Sequence, residues 1–425
     1  RRTDSRRRKG LLASPRRRRS VPAQAPNRAP PTMQPYDAYR ALSDEQAARA
    51  AVPASPASHR LLKLACGCAC VVLLLLACYI ALCLWLPPSP GLTLARDEPL
   101  ASAEPAIGAE GELFVIAMAD WGGIPVYPYV TPAQLAVRSA MARAMSASAA
   151  KSKLVLALGD NFYFTGVTSA SDPRFKATFE DVYVTDQPEL GAENMFRLVA
   201  GNHDYGATKE ISSQIAYSNQ SKAWHFPAEY YTFSEPVAPA KPGGLPLVAQ
   251  FVMIDTVLLA GGADGILDPQ AAHARSEAHW AWLRATLSAS TADYLVVAGH
   301  YPVWSVGWHG PTPFLVQALR PLLAENGVSA YFAGHDHCAE ALVDGGVHHH
   351  GVGGAHGLDF GAPNLKAVPP GSLAFHYGGA VWPANAFKGT FAAISFGPRV
   401  MTVTHYDSDG QALLTLSQPP RPQRS

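Results

Sequence analysis

Five apolar runs in the middle of the chain share one arrangement: each ends directly at residues that can bind a metal. The runs occupy positions 114–119, 154–158, 196–200, 294–298 and 328–333. Continuous apolar runs are typical of strands that are buried on both faces, as in parallel sheets. Because ligands bind beyond the carboxyl ends of such strands, the pattern predicts one site where these ends meet.

The polar residues at these ends make the pattern specific. In chain order they are Asp120, Gly159-Asp160-Asn161-Phe162-Tyr163, Gly201-Asn202-His203-Asp204, Gly299-His300 and Gly334-His335-Asp336-His337. Four of the five groups begin with a glycine, which lets the backbone turn tightly. One apolar run followed by a residue that can bind a metal means little, but five such runs in order are hard to obtain by chance.

The segments between these runs alternate between helical and strand-like character. Helices are predicted at 132–150, 270–290 and 313–326, and strands at 389–396 and 400–406. The last strand should close a hairpin through Asp409-Gly410. We therefore expect one α/β catalytic domain over residues 113–416, followed by a disordered tail at 417–425.

A different pattern precedes this domain. Residues 64–86 carry no charge over 23 positions, which at about 1.5 Å per residue spans a bilayer core. The run is too long for the apolar part of a cleaved signal peptide, which is the alternative. Basic residues lie on its N-terminal side, so the positive-inside rule predicts a single-pass type II membrane protein with an extracellular or lumenal catalytic domain. Asn219-Gln220-Ser221 would then be a usable glycosylation site.

Charge is unevenly distributed along the chain. Residues 1–63 hold 15 Lys and Arg against 4 Asp and Glu, and the remaining residues hold 19 against 29. Blocks of like charge with few aromatics favour a disordered cytoplasmic tail at 1–63, although a nuclear or RNA-binding motif is the alternative. The acidic remainder argues against nucleic-acid binding by the main domain. Residues 87–112, rich in Pro, Ala and Gly, read as a stalk.

The candidate ligands contain carboxylate, phenol, amide and imidazole groups, without a thiolate. Such a set suits iron, manganese or zinc, and it is unlike a structural zinc–thiolate site. It is also too large for one ion. Two ions about 3.5–4 Å apart can hold both the attacking and the leaving oxygen of a phosphate displacement. The candidates are Asp120, Asp160, Tyr163, Asn202, His203, His300, His335 and His337.

These motifs resemble those of the purple acid phosphatases, and most closely the small mammalian-type, tartrate-resistant branch. The resemblance covers residues 113–416 and includes 120–123, 159–166, 201–204, 299–305 and 334–337 in order. It implies a four-layer α/β/β/α sandwich of two mixed sheets with helices outside. It also implies a monomeric catalytic domain that hydrolyses phosphate monoesters, with attack by a metal-activated hydroxide and no phosphoenzyme.

The resemblance assigns roles to individual residues. Fe(III) at site 1 would be held by Asp120, Asp160, Tyr163 and His337. Fe(II), Zn(II) or Mn(II) at site 2 would be held by Asp160, Asn202, His300 and His335, so Asp160 bridges the two ions. A phenolate from Tyr163 would give the oxidised protein its colour. His203 and His309 match catalytic histidines that bind the phosphate and protonate the leaving group.

Some positions depart from the family pattern. Trp308 stands in place of a glutamate beside His309, which affects the expected pH optimum and leaving-group preference. Cys338 replaces the asparagine that follows the His-Asp-His motif. His348-His349-His350 is expected on a solvated or rim strand, with His348 and His350 on one face, rather than at a third metal patch. His356 and His376 receive no role.

The function expected from the sequence is a membrane-anchored purple acid phosphatase. One alternative is a phosphodiesterase or phosphoprotein phosphatase that uses the same two-metal site. An alternative of another class is a non-catalytic surface protein that has kept the fold. The intact ligand set favours an enzyme over that last alternative.

Overall fold

The structure, a computed structural model, describes residues 113–193, 195–239, 241, 243–261, 269–379 and 387–422. The predicted tail, anchor and stalk at 1–63, 64–86 and 87–112 lie outside these ranges. Within the described part of the chain, no helix is both long enough and apolar enough to cross a membrane.

The described residues form two seven-stranded mixed sheets with flanking helices. The strands are β1 Leu113–Met118, β2 Ser152–Leu158, β3 Phe196–Val199, β4 Trp224–His225, β5 Tyr231–Val237, β6 Leu247–Met253, β7 Tyr294–Ala298, β8 Ala330–Ala333, β9 Ala339–Asp344, β10 Val347–Val352, β11 Leu373–Tyr377, β12 Thr390–Phe396, β13 Met401–Asp407 and β14 Ala412–Gln418. The helices are α1 Pro132–Ala147, α2 Ser212–Tyr217, α3 Thr256–Leu259, α4 Pro269–Ala289 and α5 Pro313–Glu325. A π-helical segment covers Phe175–Thr185, and short 3₁₀ turns cover Pro188–Leu190 and His203–Tyr205.

Each sheet combines a run of parallel strands with antiparallel strands; in the first sheet the parallel run reaches one edge at β4, and in the second sheet antiparallel strands lie at both edges. The first sheet has the order β14-β13-β12-β1-β2-β3-β4, in which β1 to β4 run parallel. The second has the order β11-β9-β10-β8-β7-β6-β5, in which β6, β7, β8 and β10 run parallel. The fully apolar strands β1, β7 and β8 are buried along their whole length, as predicted from their continuous hydrophobic runs.

The two sheets share a hydrophobic core. Val115 and Leu156 of the first sheet belong to the same buried cluster as Phe251 and Val296 of the second. The alternate side chains of these strands pack with the helices in a second, larger cluster. The period-2 alternation of a strand thus places one set of side chains between the sheets and the other set against helices.

The helix starts follow local chemistry. Thr131 precedes α1, and its hydroxyl accepts a hydrogen bond from the backbone N–H of Gln134 at 3.1 Å. Pro132 occupies the first helical turn, where its missing N–H has no intrahelical partner to lose. Helices α1, α4 and α5 confirm the three predicted helical segments to within three residues at each end. The predicted hairpin is also present, because β13 pairs antiparallel with β14 around Asp409 and Gly410.

The prediction of a solvated or rim strand at 348–350 is wrong. Strand β10 lies between β9 and β8 inside the second sheet, and both His349 and His350 are buried. His350 lies against His405 of the first sheet, with Nδ1 of the former 3.1 Å from Nε2 of the latter. The prediction that His348 and His350 lie on the same face of the strand is correct, since their ring centroids are 6.2 Å apart.

The ordered chain also continues beyond residue 416, the predicted end of the catalytic domain. Strand β14 extends to Gln418. Beyond it, the Arg421 guanidinium donates hydrogen bonds to the carbonyl oxygens of Ala292 and Asn326 at 3.0 and 2.9 Å.

Candidate metal centre

The candidate ligands lie in the loops that follow β1, β2, β3, β7 and β8. Because these are parallel strands from the centres of both sheets, their carboxyl ends meet at one edge of the sandwich. The two sheets are joined there by a backbone bridge between Ala119 and Gly354. Asp120, Asp160 and His300 are fully buried, and one ligand atom from each lies within 4.8 Å of the others.

Close backbone approach explains the glycines in these loops. A Cβ at Gly201 would lie 2.1 Å from Oδ1 of Asp160, and one at Gly334 would lie 2.6 Å from Oδ2 of Asp120. Both contacts are far inside van der Waals distance, so no other residue fits without displacing a carboxylate. Asp120 and Asp160 themselves have φ of 52° and 50°, a region that non-glycine residues seldom adopt and that is concentrated at functional sites.

Three side chains form the first group of the centre. The Tyr163 hydroxyl donates to Oδ1 of Asp120 at 3.1 Å and lies 3.0 Å from Nε2 of His337. The same His337 nitrogen is 3.6 Å from Oδ1 of Asp120. A carboxylate, a phenol and an imidazole therefore converge on one point.

A second group lies on the other side of Asp160. Nε2 of His300 is 3.0 Å from Oδ1 of Asn202 and 3.5 Å from Oδ1 of Asp160. Nδ1 of His300 lies 2.9 Å from the carbonyl oxygen of Leu158, which fixes the ring and directs Nε2 toward the centre. His335 completes this side, with its ring centroid 5.2 Å from that of His300.

The charges of the buried groups are strongly perturbed. Burial, together with the negative charges of Asp120 and Asp160, raises the pKa of Tyr163 well above its usual value. Burial would lower the pKa of His337, but the Asp120 carboxylate outweighs this and raises the pKa to about 9. Burial and the neighbouring imidazoles of His300 and His309 lower the pKa of His335 well below its usual value. A centre that concentrates acids, a phenol and imidazoles in this way is suited to cations, which favour the deprotonated forms of all these groups.

The two predicted catalytic histidines border the centre rather than lying within it. The backbone N–H of His203 donates to Oδ1 of Asp160 at 2.9 Å, and its ring Nε2 is 3.9 Å from Oδ2 of the same carboxylate. Its side chain is 34% exposed, so it faces the solvent side of the site. The exposed His309 stacks on His335 with 4.2 Å between ring centroids.

Sequence reasoning missed several residues that hold the ligand loops together. Asp204 accepts hydrogen bonds from the backbone N–H groups of Gly201, Asn161 and Phe162 at 2.8, 3.1 and 3.2 Å. It therefore ties the loop after β2 to the loop after β3. Its place in the Gly-Asn-His-Asp motif was the available signal, but a carboxylate that binds backbone amides cannot be told from a metal ligand by its position alone.

Arg174 and His356 also support the centre without having been predicted. The Arg174 guanidinium donates to the carbonyl oxygens of Gly122 at 2.5 Å and of Tyr163, which fixes the loops after β1 and β2. The His356 ring lies 4.1 Å from the Tyr163 ring, and its Nδ1 is 3.0 Å from the carbonyl oxygen of Asp120. Nothing in the sequence around His356 indicated this contact.

Comparison with known proteins gives a consistent assignment. A family model described as calcineurin-like phosphoesterase matches residues 115–339. Tartrate-resistant acid phosphatase type 5 of Rattus norvegicus is 39% identical over 313 residues, which is 72% of this chain and 90% of that protein. The Homo sapiens protein of the same name is 39% identical over 321 residues, 74% of this chain and 94% of that protein. Purple acid phosphatase 17 of Arabidopsis thaliana is 29% identical over 301 residues, 69% of this chain and 82% of that protein.

Solved structures share the fold at lower sequence identity. A Plasmodium protein described as the anchor in the inner membrane complex superposes with a TM-score of 0.61 at 20% identity, covering 74% of this chain and 91% of that one. At that identity only the fold is informative. The family match and the curated relatives confirm the resemblance on which the predicted enzyme class, a metal-dependent acid phosphatase, was based. The chain therefore belongs to the calcineurin-like phosphoesterases and, within them, to the purple acid phosphatases.

Proposed function

We propose that this chain hydrolyses phosphate monoesters at a dinuclear Fe(III)–M(II) centre, where M is iron, zinc or manganese. The observation that carries the proposal is the position of Asp160. Its carboxylate lies beside His300, which also contacts Asn202, while Asp120, Tyr163 and His337 converge close by. This supports a bridging role for Asp160 between two ions.

The donor atoms fit the two proposed ions differently. A phenol and two carboxylates are hard oxygen donors, which suits a trivalent ion held by Asp120, Asp160, Tyr163 and His337. Two imidazoles, an amide and a shared carboxylate suit a divalent ion held by Asp160, Asn202, His300 and His335. When bound, the ions would supply positive charge to the phosphate oxygens and lower the pKa of a water molecule that attacks phosphorus.

The chain's own residues then orient the substrate and move a proton. His203 lies at the solvent side of the centre with Nδ1 2.7 Å from the Phe164 carbonyl oxygen. This contact turns the opposite ring nitrogen, Nε2, toward Asp160, whose Oδ2 is 3.9 Å away. An imidazolium there can hold a phosphate oxygen and donate a proton to the departing alkoxide. His309, stacked on His335, can act on the same substrate from the other sheet.

Anchoring in a membrane is a separate part of the proposal. The uncharged run 64–86, with basic residues before it, supports a type II orientation with the catalytic domain outside the cytoplasm. The catalytic domain should then be protected from protease in sealed vesicles. Digestion of the domain from the cytosolic face would contradict this orientation without affecting the enzymatic proposal.

The enzymatic proposal is tested by metal content and substrate preference measured on the same preparation. We expect two ions per chain at the centre, visible absorption in the oxidised protein, and faster turnover of nitrophenyl phosphate than of bis(nitrophenyl) phosphate at the same pH. Preference for the diester would establish the phosphodiesterase alternative. Bound metal without turnover of a monoester, a diester or a phosphoprotein would indicate a non-catalytic protein.

A further inference from the structure

A second cluster of metal-binding side chains lies outside the dinuclear centre. It consists of Cys338, Glu340 and His376, which we name the Cys–Glu–His cluster. Cys338 immediately precedes β9, and Glu340 lies two residues later, so the two share a face of the strand. His376 of β11 is the direct cross-strand partner of Glu340. One ligand atom from each residue lies within 4.8 Å of the other two, and all three residues are buried.

Two atoms of this cluster lack a hydrogen-bond partner among the described residues. They are Oε1 of Glu340 and Nδ1 of His376, whose side chains belong to residues only 1% and 7% exposed. The other carboxylate oxygen of Glu340 accepts from the backbone N–H of Val306 at 3.0 Å. Glu340 is thus oriented by one carboxylate oxygen and presents the other, unsatisfied oxygen. Since buried polar atoms are nearly always paired, two such atoms in one cluster of possible metal ligands point to a missing ligand.

Glycine residues give the three side chains room to converge. A Cβ at Gly307 would lie 2.8 Å from Sγ of Cys338, and one at Gly351 would lie 2.7 Å from Cγ of Glu340. Both contacts are too close for any other residue. Glycine at these two positions therefore gives room to the side chains of Cys338 and Glu340, with Asp336 also lying against Gly307.

We propose that Cys338, Glu340 and His376 bind one divalent ion of the zinc type, separate from the dinuclear centre. Thiolate, carboxylate and imidazole are the three ligand types that zinc uses, with bond lengths of about 2.0–2.3 Å. Tetrahedral coordination at these lengths places ligand atoms about 3.3–3.7 Å apart, so three atoms that lie within 4.8 Å of one another need to approach by at most about 1.5 Å. Three protein ligands leave one position for a non-protein ligand.

The position of the cluster suggests what the ion would do. Its ligand Glu340 holds the backbone of Val306, and Gly307 packs against both Cys338 and Asp336. Asp336 in turn accepts from the backbone N–H of His309 at 2.6 Å. A bound ion would therefore brace the 305–310 loop that carries His309, without contacting substrate.

The competing interpretation is a packed thiol beside a neutral acid. Burial raises the pKa of Glu340 to about 8, so without an ion this carboxyl holds a proton near neutral pH. The two interpretations differ in one measurable respect, which is whether the full-length chain binds an additional ion through sulfur. The dinuclear centre provides no sulfur ligand, so a thiolate–metal signal separates the two sites.

The test uses the full chain with Co²⁺ as the probe. We expect a thiolate-to-cobalt charge-transfer absorption that is lost in Cys338→Ser, along with one equivalent of bound metal. Cysteines 66, 68, 70, 78 and 83 are present in both proteins, so the difference between them belongs to Cys338 alone. Glu340→Gln should weaken cobalt binding at this site by at least tenfold. The tyrosinate–iron absorption of the dinuclear centre should remain in both variants.

His349→Gln is the matched control. His349 is also buried, and neither of its ring nitrogens has a hydrogen-bond partner within the described ranges, but it lies outside the cluster. This variant should keep the cobalt–thiolate band and the full metal count. Equal spectra and metal counts for wild type and Cys338→Ser would overturn the proposal. If Cys338→Ser does not fold, the wild type still decides: absence of a thiolate band and of metal beyond the dinuclear centre would refute the third site. Absence of the tyrosinate–iron absorption from the wild type would instead count against the proposed function.

Discussion

Replacing Gly201 by alanine is the most direct test of how the backbone positions Asp160. The added Cβ would lie 2.1 Å from Oδ1 and 2.3 Å from the backbone nitrogen of Asp160. Carbon and oxygen atoms that are not bonded need about 3.2 Å, so the carboxylate or the loop must move by about 1 Å. Neither partner is the end of a flexible side chain, because Asp160 is buried and its backbone is hydrogen-bonded to Gly122.

The expected cost has two parts. Overpacking of a tight contact destabilises the fold by about 1–3 kcal/mol. Misplacement of a catalytic group by about 1 Å lowers the rate by about 100-fold. We therefore expect Gly201→Ala to be folded, to lose metal from the centre, and to show a kcat for nitrophenyl phosphate reduced by about two orders of magnitude.

The assay compares kcat, metal content and urea midpoint for Gly201→Ala and for Gly244→Ala as control. Gly244 lies in an exposed loop, and a Cβ there would meet its nearest atom, the Lys241 carbonyl oxygen, at 3.1 Å. The control should keep wild-type activity and metal. If Gly201→Ala retains both ions and more than half of the wild-type kcat, then Asp160 is not held in the position that bridging requires.

Three further predictions concern individual residues. His203→Ala should keep both ions, but its turnover rate should fall by a factor of about 10²–10⁴. The loss should be larger for alkyl phosphates than for nitrophenyl phosphate, because the nitrophenyl leaving group hardly needs a proton. An equal loss for both substrates would contradict the role of His203 as an acid. Tyr163→Phe should remove the visible absorption of the oxidised protein, so a variant that keeps its colour would exclude Tyr163 as the iron ligand. Asp255 caps α3 and accepts a hydrogen bond from Tyr205, and burial raises its pKa to about 7. Because this folded-state pKa exceeds the unfolded value, the stability of the wild type should fall as pH rises from about 4 to 7. The expected fall is up to about 4 kcal/mol relative to Asp255→Asn. If the urea midpoints of these two proteins ran parallel across that range, the pKa of Asp255 would be the same in the folded and unfolded states, and burial would not raise it.

The sequence alone was sufficient to predict the strands that carry the centre and the residues at their ends. The reason is that a strand buried on both faces needs a continuous apolar run, which β1, β7 and β8 provide. The chain must turn where such a run ends, and glycine followed by a polar residue marks the turn. For this reason Asp120, Asp160 and His300 could be selected before their distances were known.

Other features depended on which segments meet in space. The environment of His348-His349-His350 was mispredicted because alternation shows which residues share a face, but not whether the strand lies at an edge or inside a sheet. The role of Asp204 was missed because a carboxylate that binds three backbone amides looks like a metal ligand in the sequence.

The Cys–Glu–His cluster shows the same limit most clearly. His376 is 36 positions beyond Glu340 in the chain, and no spacing rule connects them. Only the antiparallel pairing of β9 with β11 places them side by side. Local patterns along the sequence determine which segments are strands and where they end, because burial and turning act over a few residues. The pairing of distant strands depends on the packing of the whole domain, and it alone decided which of the remaining polar side chains came together.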